Sequence, residues 1–130
     1  MNWLPLTTLA LSLSVPFAAH ADWAKVEADA RGQTVYFNAW GGSEATNTYI
    51  GWVAQQVKGR YGVELRHVKV TDAAEVVKRV QTEVAAGRRT DGSVDLIWVN
   101  GENFRNLKQG GLLFGPWAES LPNWGSVDLN

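Results

Sequence analysis

The chain has 130 residues, with 12 Lys and Arg, 13 Asp and Glu, and a formal net charge of −1 at pH 7. A content of 45% apolar and 19% charged residues is typical of one small globular domain and argues against a disordered chain. The largest basic cluster is Arg88-Arg89, so binding to nucleic acid by phosphate neutralisation is not favoured. Cysteine is absent, which excludes disulfides, thiol nucleophiles and cysteine-ligated metal sites.

Residues 1–21 have the features of a secretory signal peptide. They contain no Asp, Glu, Lys or Arg, and Leu4 to Leu13 forms an apolar stretch too short to span a bilayer. Ala19-His20-Ala21 matches the A-x-A pattern, which predicts cleavage between Ala21 and Asp22. The only positive charge before the apolar stretch is the terminal amine. A short amphipathic anchor is the alternative, although the stretch has no polar face.

A short helix and a strand follow this leader. The segment WAKVEADARGQ predicts a helix with Trp23, Val26 and Ala30 on one side, and Gly32 can end it. Thr34 to Ala39 is rich in β-branched and aromatic residues, which predicts the first strand.

A second helix and strand come next. Ser43 is a good N-cap, and Gly62 is placed to end the helix. Apolar and threonine side chains recur at helical spacing between them, at Thr46, Ile50, Val53 and Val57. Val63 to Val70 is of mixed polarity and predicts a strand near a sheet edge.

The third helix and strand are followed by one more helix. Asp72 and Glu75 have the spacing of a capping box, and Gly87 marks the helix end. One apolar stripe contains Val76, Val77, Val80 and Val84. Val94 to Val99 is nearly all apolar, which predicts a strand covered on both faces. Glu102 to Gln109 predicts a short helix, and the tail after it is rich in turns and tryptophan.

The element order βαβαβα predicts an α/β fold, in which helices flank a parallel sheet with right-handed crossovers. A sheet of this size has two uncovered edges. We therefore expect either the first part of a larger protein or a chain that needs a partner to cover it. The chain also has seven tryptophans. Each is either a core residue or part of a site that holds ligands against indole faces.

The glycine turn after the first strand is the first candidate site. Gly41, Gly42 and Ser43 join a strand to a helix start, where backbone N–H groups and the positive end of the helix dipole can receive an anionic or polar ligand. The turn lacks the GxGxxG pattern and a Walker lysine, so a nucleotide loop is not favoured. An ordinary tight turn is the alternative.

Ser43 also raises the possibility of a nucleophile. GGSEA is not the G-x-S-x-G elbow, and the mature sequence has a single histidine, His67, in the middle of a predicted strand. A serine hydrolase would need His67 at a strand tip near Ser43. This alternative remains open, and a structural role for His67 is favoured.

The end of the third predicted strand is the second candidate site. Ligands of open α/β sheets bind beyond the carboxyl ends of the strands, where the strand order reverses. If the first strand is central, Trp40 faces one crevice together with four residues after the third strand, Asn100, Gly101, Glu102 and Asn103. Glu102 either stabilises the helix start or pairs with a cationic ligand.

No metal site is expected from the acidic residues. Asp72, Glu75, Asp91 and Asp95 have the spacing of a cap, a turn and a strand. One histidine in the mature chain and no cysteine make zinc implausible.

Three segments carry a resemblance to a known family. ARGQTVYFNAWGG, DAAEVVKRVQTEVAAGRRTDGSVDLIWVNGENFRNLK and WAESLPNW resemble the periplasmic solute-binding proteins of ABC importers, of the two-lobed type II class. Such proteins have two α/β lobes joined by a hinge and bind ligand in the cleft between them. Members are much longer than this chain. The resemblance therefore implies that residues 22–130 are the N-terminal part of an incomplete first lobe, without the hinge and the second lobe.

The resemblance implies binding rather than catalysis. Trp40, Gly41, Gly42 and Ser43 would form one part of the cleft wall, and Asn100, Gly101, Glu102 and Asn103 would form another. Trp40 would cover the ligand, Ser43 and the turn amides would donate, and Asn100 and Asn103 would orient it. The implied partners are a small solute and a membrane permease, with no nucleic acid, no cofactor and a monomeric full-length protein in the periplasm. A truncated product without function is the remaining alternative.

Overall fold

Helices and strands alternate along most of the chain. The computed structural model describes residues 22–128, so the predicted signal peptide lies outside the described residues. The elements are α1 (Trp23–Ala30), β1 (Thr34–Trp40), α2 (Glu44–Tyr61), β2 (Glu64–Val70), α3 (Ala73–Ala85), β3 (Leu96–Ile97) and α4 (Gly101–Gln109), followed by two short 3-10 helices, Ala118–Ser120 and Trp124–Ser126. The predicted order βαβαβα is confirmed.

The three strands form one open parallel sheet in the order β2-β1-β3. β1 pairs with β2 along its whole length, from Thr34 opposite Glu64 to Trp40 opposite Val70. Its pairing with β3 is limited to Phe37 opposite Leu96 and Asn38 opposite Ile97. The predictions of an α/β fold and of β2 at a sheet edge are therefore confirmed, and β1 is the central strand. An open sheet of this kind is what a partial binding-protein domain would have.

Helices cover both faces of the sheet. Successive residues of a strand point to opposite faces. Ala39 lines a cavity with Ile50 of α2, whereas the preceding Asn38 accepts a hydrogen bond from Arg79 Nη1 of α3 at 3.3 Å. Thus α2 and α3 lie on opposite faces. Right-handed crossovers require this, because the chain moves across the sheet in one direction from β1 to β2 and in the other from β2 to β3. The buried apolar core is small and contains Ala39, Ile50, Val63, Val76, Val77 and Leu107.

The helix ends follow their sequence signals. Ser43 Oγ accepts from the N–H of Thr46 at 3.3 Å, and Gly62 ends α2 in the left-handed conformation with φ of 69°. Asp72 Oδ1 accepts from the N–H of Ala74 at 2.9 Å rather than from that of Glu75. The predicted cap is therefore present, but its bond is one residue earlier than in a capping box. None of the helices within residues 22–128 is long and apolar enough to cross a membrane.

The third strand differs from its prediction. The apolar run Val94 to Val99 predicted a strand covered on both faces, whereas only Leu96–Ile97 is a strand, and Leu96 is 49% exposed. One reason is that the Asp95 carboxylate accepts from the N–H of Tyr36 at 2.8 Å, where a backbone carbonyl would otherwise continue the ladder. The other is that α2 contacts mainly β2, so the same face of β3 remains uncovered. The prediction of a covered strand was wrong for this reason.

Candidate functional site

The candidate site lies where the strand order reverses. From the central strand β1 the chain enters α2 on one face, and from β3 it enters α4, which packs against α3 on the other face. The connections therefore diverge and leave a crevice at the carboxyl ends of β1 and β3. Trp98 N–H donates to the carbonyl of Asn38 at 2.9 Å, which holds the two strand ends together. Both predicted loops, Trp40 to Ser43 and Asn100 to Asn103, are thus at one edge.

Gly41 allows two chain segments to approach closely. A Cβ at this position would be 2.7 Å from Cβ of Lys69, so any side chain would push the ends of β1 and β2 apart. Its N–H donates to the carbonyl of Val70 at 3.0 Å, and its carbonyl accepts from Asn47 Nδ2 at 3.0 Å. Both backbone groups of Gly41 are therefore used inside the protein. The predicted backbone donors are limited to the following residues of the turn.

Gly42 provides the space that the Trp40 indole occupies. A Cβ at position 42 would overlap the six-membered ring of Trp40. The indole therefore lies against the backbone of the turn, with 52% of the residue exposed. A large side chain with one face on the protein and the other towards solvent is well suited to stack on a ligand.

We expect Gly42→Ala to displace the Trp40 indole and weaken ligand binding about tenfold, which is a loss of about 1.4 kcal/mol. Occupancy of the bound small molecule in native mass spectra would measure this effect. Gly51→Ala is the matched control, because a Cβ at Gly51 in α2 meets no atom within 4 Å. Equal occupancy in the two variants would show that the position of the indole does not matter.

The second loop uses its asparagines inside the protein. Asn100 caps α4, since its Oδ1 accepts from the N–H of Asn103 at 3.1 Å. Asn103 is only 8% exposed and lies one turn before the buried Leu107, on the side of α4 that packs against α3. Gly101 and Glu102 are exposed. Asn100 is exposed as well, with its Oδ1 engaged in the cap, and Glu102 is the charged side chain of this loop.

An apolar cavity of about 540 Å³ opens beside the first loop. It lies between α2 and the sheet and is lined by Phe37, Ala39, Trp40, Thr46, Tyr49, Ile50, Val53, Leu65 and Trp98. The Tyr49 ring stacks on Trp52 at 5.9 Å between centroids, which fixes its orientation. Four aromatic side chains, those of Phe37, Trp40, Tyr49 and Trp98, therefore border a cavity of the size that small molecules occupy.

One relative among known proteins matches this region strongly. Protein YnjB of Escherichia coli (strain K12) is 58% identical over 112 residues, which are 85% of this chain and 29% of that protein. The chain is a homologue of YnjB. It spans less than a third of the length of that relative. No protein-family model and no solved structure matches it.

In this YnjB homologue, sequence reasoning missed Trp98 and Tyr49 as site residues. Trp98 was available as a signal, because it stands two residues after Leu96 and so shares its face of the strand. Phe37 is opposite Leu96 in the register, which places this face on the side of α2. The 71% exposure of Trp98 could not be predicted from the sequence, because it depends on how much of the sheet face α2 covers.

The two residues of the hydrolase alternative are engaged separately in the YnjB homologue. Ser43 Oγ accepts from a helix N–H, and His67 Nε2 is 3.2 Å from the carbonyl oxygen of Ala39, to which it donates in the matching tautomer. No hydrogen bond joins Ser43 to His67 among residues 22–128. Nothing in this geometry supports a serine nucleophile activated by histidine. The structural role favoured for His67 agrees with its bond.

The carboxyl groups with perturbed pKa values lie away from the cleft of the YnjB homologue. The hydrogen bond from Arg66, followed by its charge, lowers the pKa of Glu64 at the start of β2. Hydrogen bonds from Ser93 lower the pKa of Glu83 near the end of α3, and Ser93 N–H is 3.1 Å from Glu83 Oε2. Both lie at the opposite edge of the sheet; the bond of Glu83 ties the end of α3 to the segment before β3, whereas that of Glu64 lies within β2. Within the described part of the chain, no three histidine or acidic residues are grouped closely enough to hold a metal ion.

Proposed function

We propose that this chain forms one wall of the ligand cleft in a periplasmic solute-binding protein, which captures a small solute and delivers it to an ABC import permease. The observation that carries the proposal is the open cavity of about 540 Å³ beside the carboxyl ends of β1 and β3. It lies where ligands of open α/β sheets bind. Homology to YnjB and the resemblance to two-lobed binding proteins support the assignment of class.

The residues of the wall have distinct proposed roles. Trp40 and Trp98 hold the ligand against their indole faces, since both are more than half exposed at the cavity. The N–H groups of Gly42 and Ser43, which have no protein acceptor within residues 22–128, donate to it. Asn100 acts by holding the second loop in place through its cap, and Asn103 by packing under it. Glu102 is the charged contact.

Closure of a second lobe over this wall would complete the site. The resemblance implies a hinge and a further lobe. Closing would remove water from the cavity and strengthen the polar contacts around the ligand. We propose reversible binding without covalent chemistry; in support of this, the nucleophile considered in the sequence, Ser43, is engaged as a helix cap.

Native mass spectrometry tests this function. The protein would be expressed at the full length of its reading frame and released from the periplasm. We expect a folded monomer that begins at Asp22 and carries a small additional mass, which is lost on collisional activation. A folded protein without any adduct, whose melting temperature is also unchanged by an extract of periplasmic small molecules, would contradict the proposal.

A further inference from the structure

The position of β3 along β1 is weakly determined by the apolar residues of β3. Only two residue pairs join the strands, and one of them places Phe37 opposite Leu96. Val94 and Trp98 stand two residues before and after Leu96 and are also apolar. A shift of β3 by two residues in either direction would therefore still place an apolar side chain opposite Phe37. Such a shift would move Trp98 by about 6.6 Å along β1, away from its place beside Trp40.

Asn38 joins β1 to β3 through its backbone and through its side chain. Its backbone carbonyl accepts from the N–H of Trp98 at 2.9 Å. Its side-chain Nδ2 donates to the carbonyl of Tyr36 at 3.3 Å, and the same carbonyl accepts from the N–H of Asp95 at 3.4 Å. Asn38 therefore takes part in the contacts at both ends of β3.

The Asn38 side chain is fully buried and is held from α3. Its exposure is 0%, and its Oδ1 accepts from Arg79 Nη1 at 3.3 Å. A buried amide is costly unless its oxygen and its N–H groups are bonded, and here both Oδ1 and Nδ2 have partners. A leucine of similar volume would fill this place without needing any partner. Packing alone therefore does not explain an asparagine at this position.

The helix that holds Asn38 also holds the segment that enters β3. Glu83 is one turn after Arg79 and so lies on the same side of α3. Its Oε2 accepts from the N–H of Ser93 at 3.1 Å, four residues before Ile97 of β3. One helix thus binds β1 through Arg79 and the start of β3 through Glu83. Removing the Arg79 contact would free the two strands relative to each other.

A second bond that is specific for this register lies at the surface. The Asp95 carboxylate accepts from the N–H of Tyr36 at 2.8 Å, and Asp95 is exposed. Water can replace either partner of an exposed bond, whereas the buried amide of Asn38 would be left unpaired by a shift. We therefore expect the buried contact to determine the register more strongly than the exposed one.

We propose that Asn38 and Arg79 are positioning residues of the cleft, whose buried contact sets the register of β3 on β1 and so places Trp98 beside Trp40. A buried polar residue can select one arrangement among several of similar stability, as a single asparagine does in the core of a coiled coil. The consequence for ligand binding rests on the proposed function, whereas the register can be measured without a ligand.

Pairs of introduced cysteines report the register. Residues 1–130 contain no cysteine. Phe37→Cys would be combined in the full-length protein with Leu96→Cys, which reports the register described above, or with Val94→Cys or Trp98→Cys, which report shifts by two residues. Directly opposite residues of neighbouring strands are about 4.8 Å apart, and residues offset by two are about 8 Å apart, beyond the reach of a disulfide. With Asn38 and Arg79 present, we expect the pair at positions 37 and 96 to oxidise at least about tenfold faster than the other two.

Apolar replacement of the buried contact separates register from stability. Asn38→Leu combined with Arg79→Met keeps the volume of both side chains, and such replacements of buried polar pairs often leave stability unchanged. We expect the urea midpoint to stay close to that of the unchanged protein, while the tenfold preference falls to about threefold or less. If the double variant does not fold, Arg79→Met and Arg79→Lys decide the question. The methionine should lose the preference, and the lysine should keep it because it retains an N–H donor.

Two controls test whether the effect belongs to this contact. Val77→Ala truncates a side chain of α3 that is 5% exposed, so it should lower the urea midpoint but keep the oxidation preference. Asp95→Ala removes the exposed bond and should keep most of the preference. A tenfold preference that persists in the double variant would overturn the proposal. So would an equal loss of preference in Val77→Ala or in Asp95→Ala. None of these readouts uses a ligand, so a failure of the proposed binding function would be seen separately in native mass spectra.

Discussion

Replacing Trp40 by alanine is expected to weaken ligand binding about 30-fold, which is about 2 kcal/mol and typical of a tryptophan at the centre of a binding surface. The free energy of unfolding should change by less than about 1 kcal/mol, because exposed side chains contribute little to stability. The 52% exposure of Trp40 is the basis for separating the two effects. Titration with the ligand identified by native mass spectrometry, and urea denaturation of the same sample, measure them independently.

Trp117→Ala provides the matched control for Trp40→Ala. Trp117 is also a tryptophan with 52% exposure, but it lines a separate groove in the tail with Phe114 and Trp124. We expect this variant to retain the affinity for ligand. A loss of stability in Trp40→Ala as large as the loss of binding would make Trp40 a structural residue. An equal loss of affinity in both variants would mean that the ligand site depends on the tail, rather than on the loops at the reversal of strand order.

Replacing Leu107 by alanine is expected to lower the free energy of unfolding by about 2–5 kcal/mol, the range observed for leucine truncation in protein cores. Leu107 is 2% exposed. It borders a cavity of about 390 Å³ together with Val80, Val84 and Ile97, so truncation would enlarge a space that is already poorly filled. Urea denaturation of the full-length protein would measure the loss from the shift in midpoint.

A second effect of Leu107→Ala follows from the position of α4. Leu107 anchors the helix whose first turn contains Glu102 and whose cap is Asn100. We therefore expect ligand affinity to fall as well, although Leu107 does not line the ligand cavity. Leu113→Ala removes the same atoms from a residue that is 41% exposed, and should cost less than about 1 kcal/mol. Similar losses in both variants would show that α4 is not held by this side chain.

Local signals were sufficient to predict the helices and the main strands. Ser43, Asp72 and Gly62 act through bonds or dihedral angles within a few residues of themselves, so their sequence context determines them. The central place of β1 was only a condition for the two candidate loops to meet, and the strand order β2-β1-β3 fulfils it. These features depend on short-range chemistry and on general rules of chain connection.

The length of β3 and the lining of the cavity could not be predicted, because they depend on distant residues. The apolar run Val94 to Val99 gives no sign that the Asp95 carboxylate replaces a carbonyl as the acceptor for Tyr36. The inward direction of Asn103 could have been inferred, since it is four residues before an apolar Leu107. The position of the Trp40 indole over Gly42 could not be predicted, because it is a side-chain rotamer that depends on the space left by neighbouring atoms.

The unequal pairing of β1 with its two neighbours has a consequence for the order of folding. The contact between His67 and Ala39 joins residues 28 apart and belongs to a seven-residue ladder, whereas that between Tyr36 and Asp95 spans 59 residues and belongs to a ladder of two pairs. The shorter separation costs less closure entropy, by about 0.6 kcal/mol for each halving, and gains more bonds. β1, α2 and β2 are therefore expected to assemble first, with β3 docking late. Trp40 ends β1, which forms early, and Trp98 follows β3, which docks late. A ligand held between these two side chains would therefore slow the dissociation of β3 from the sheet.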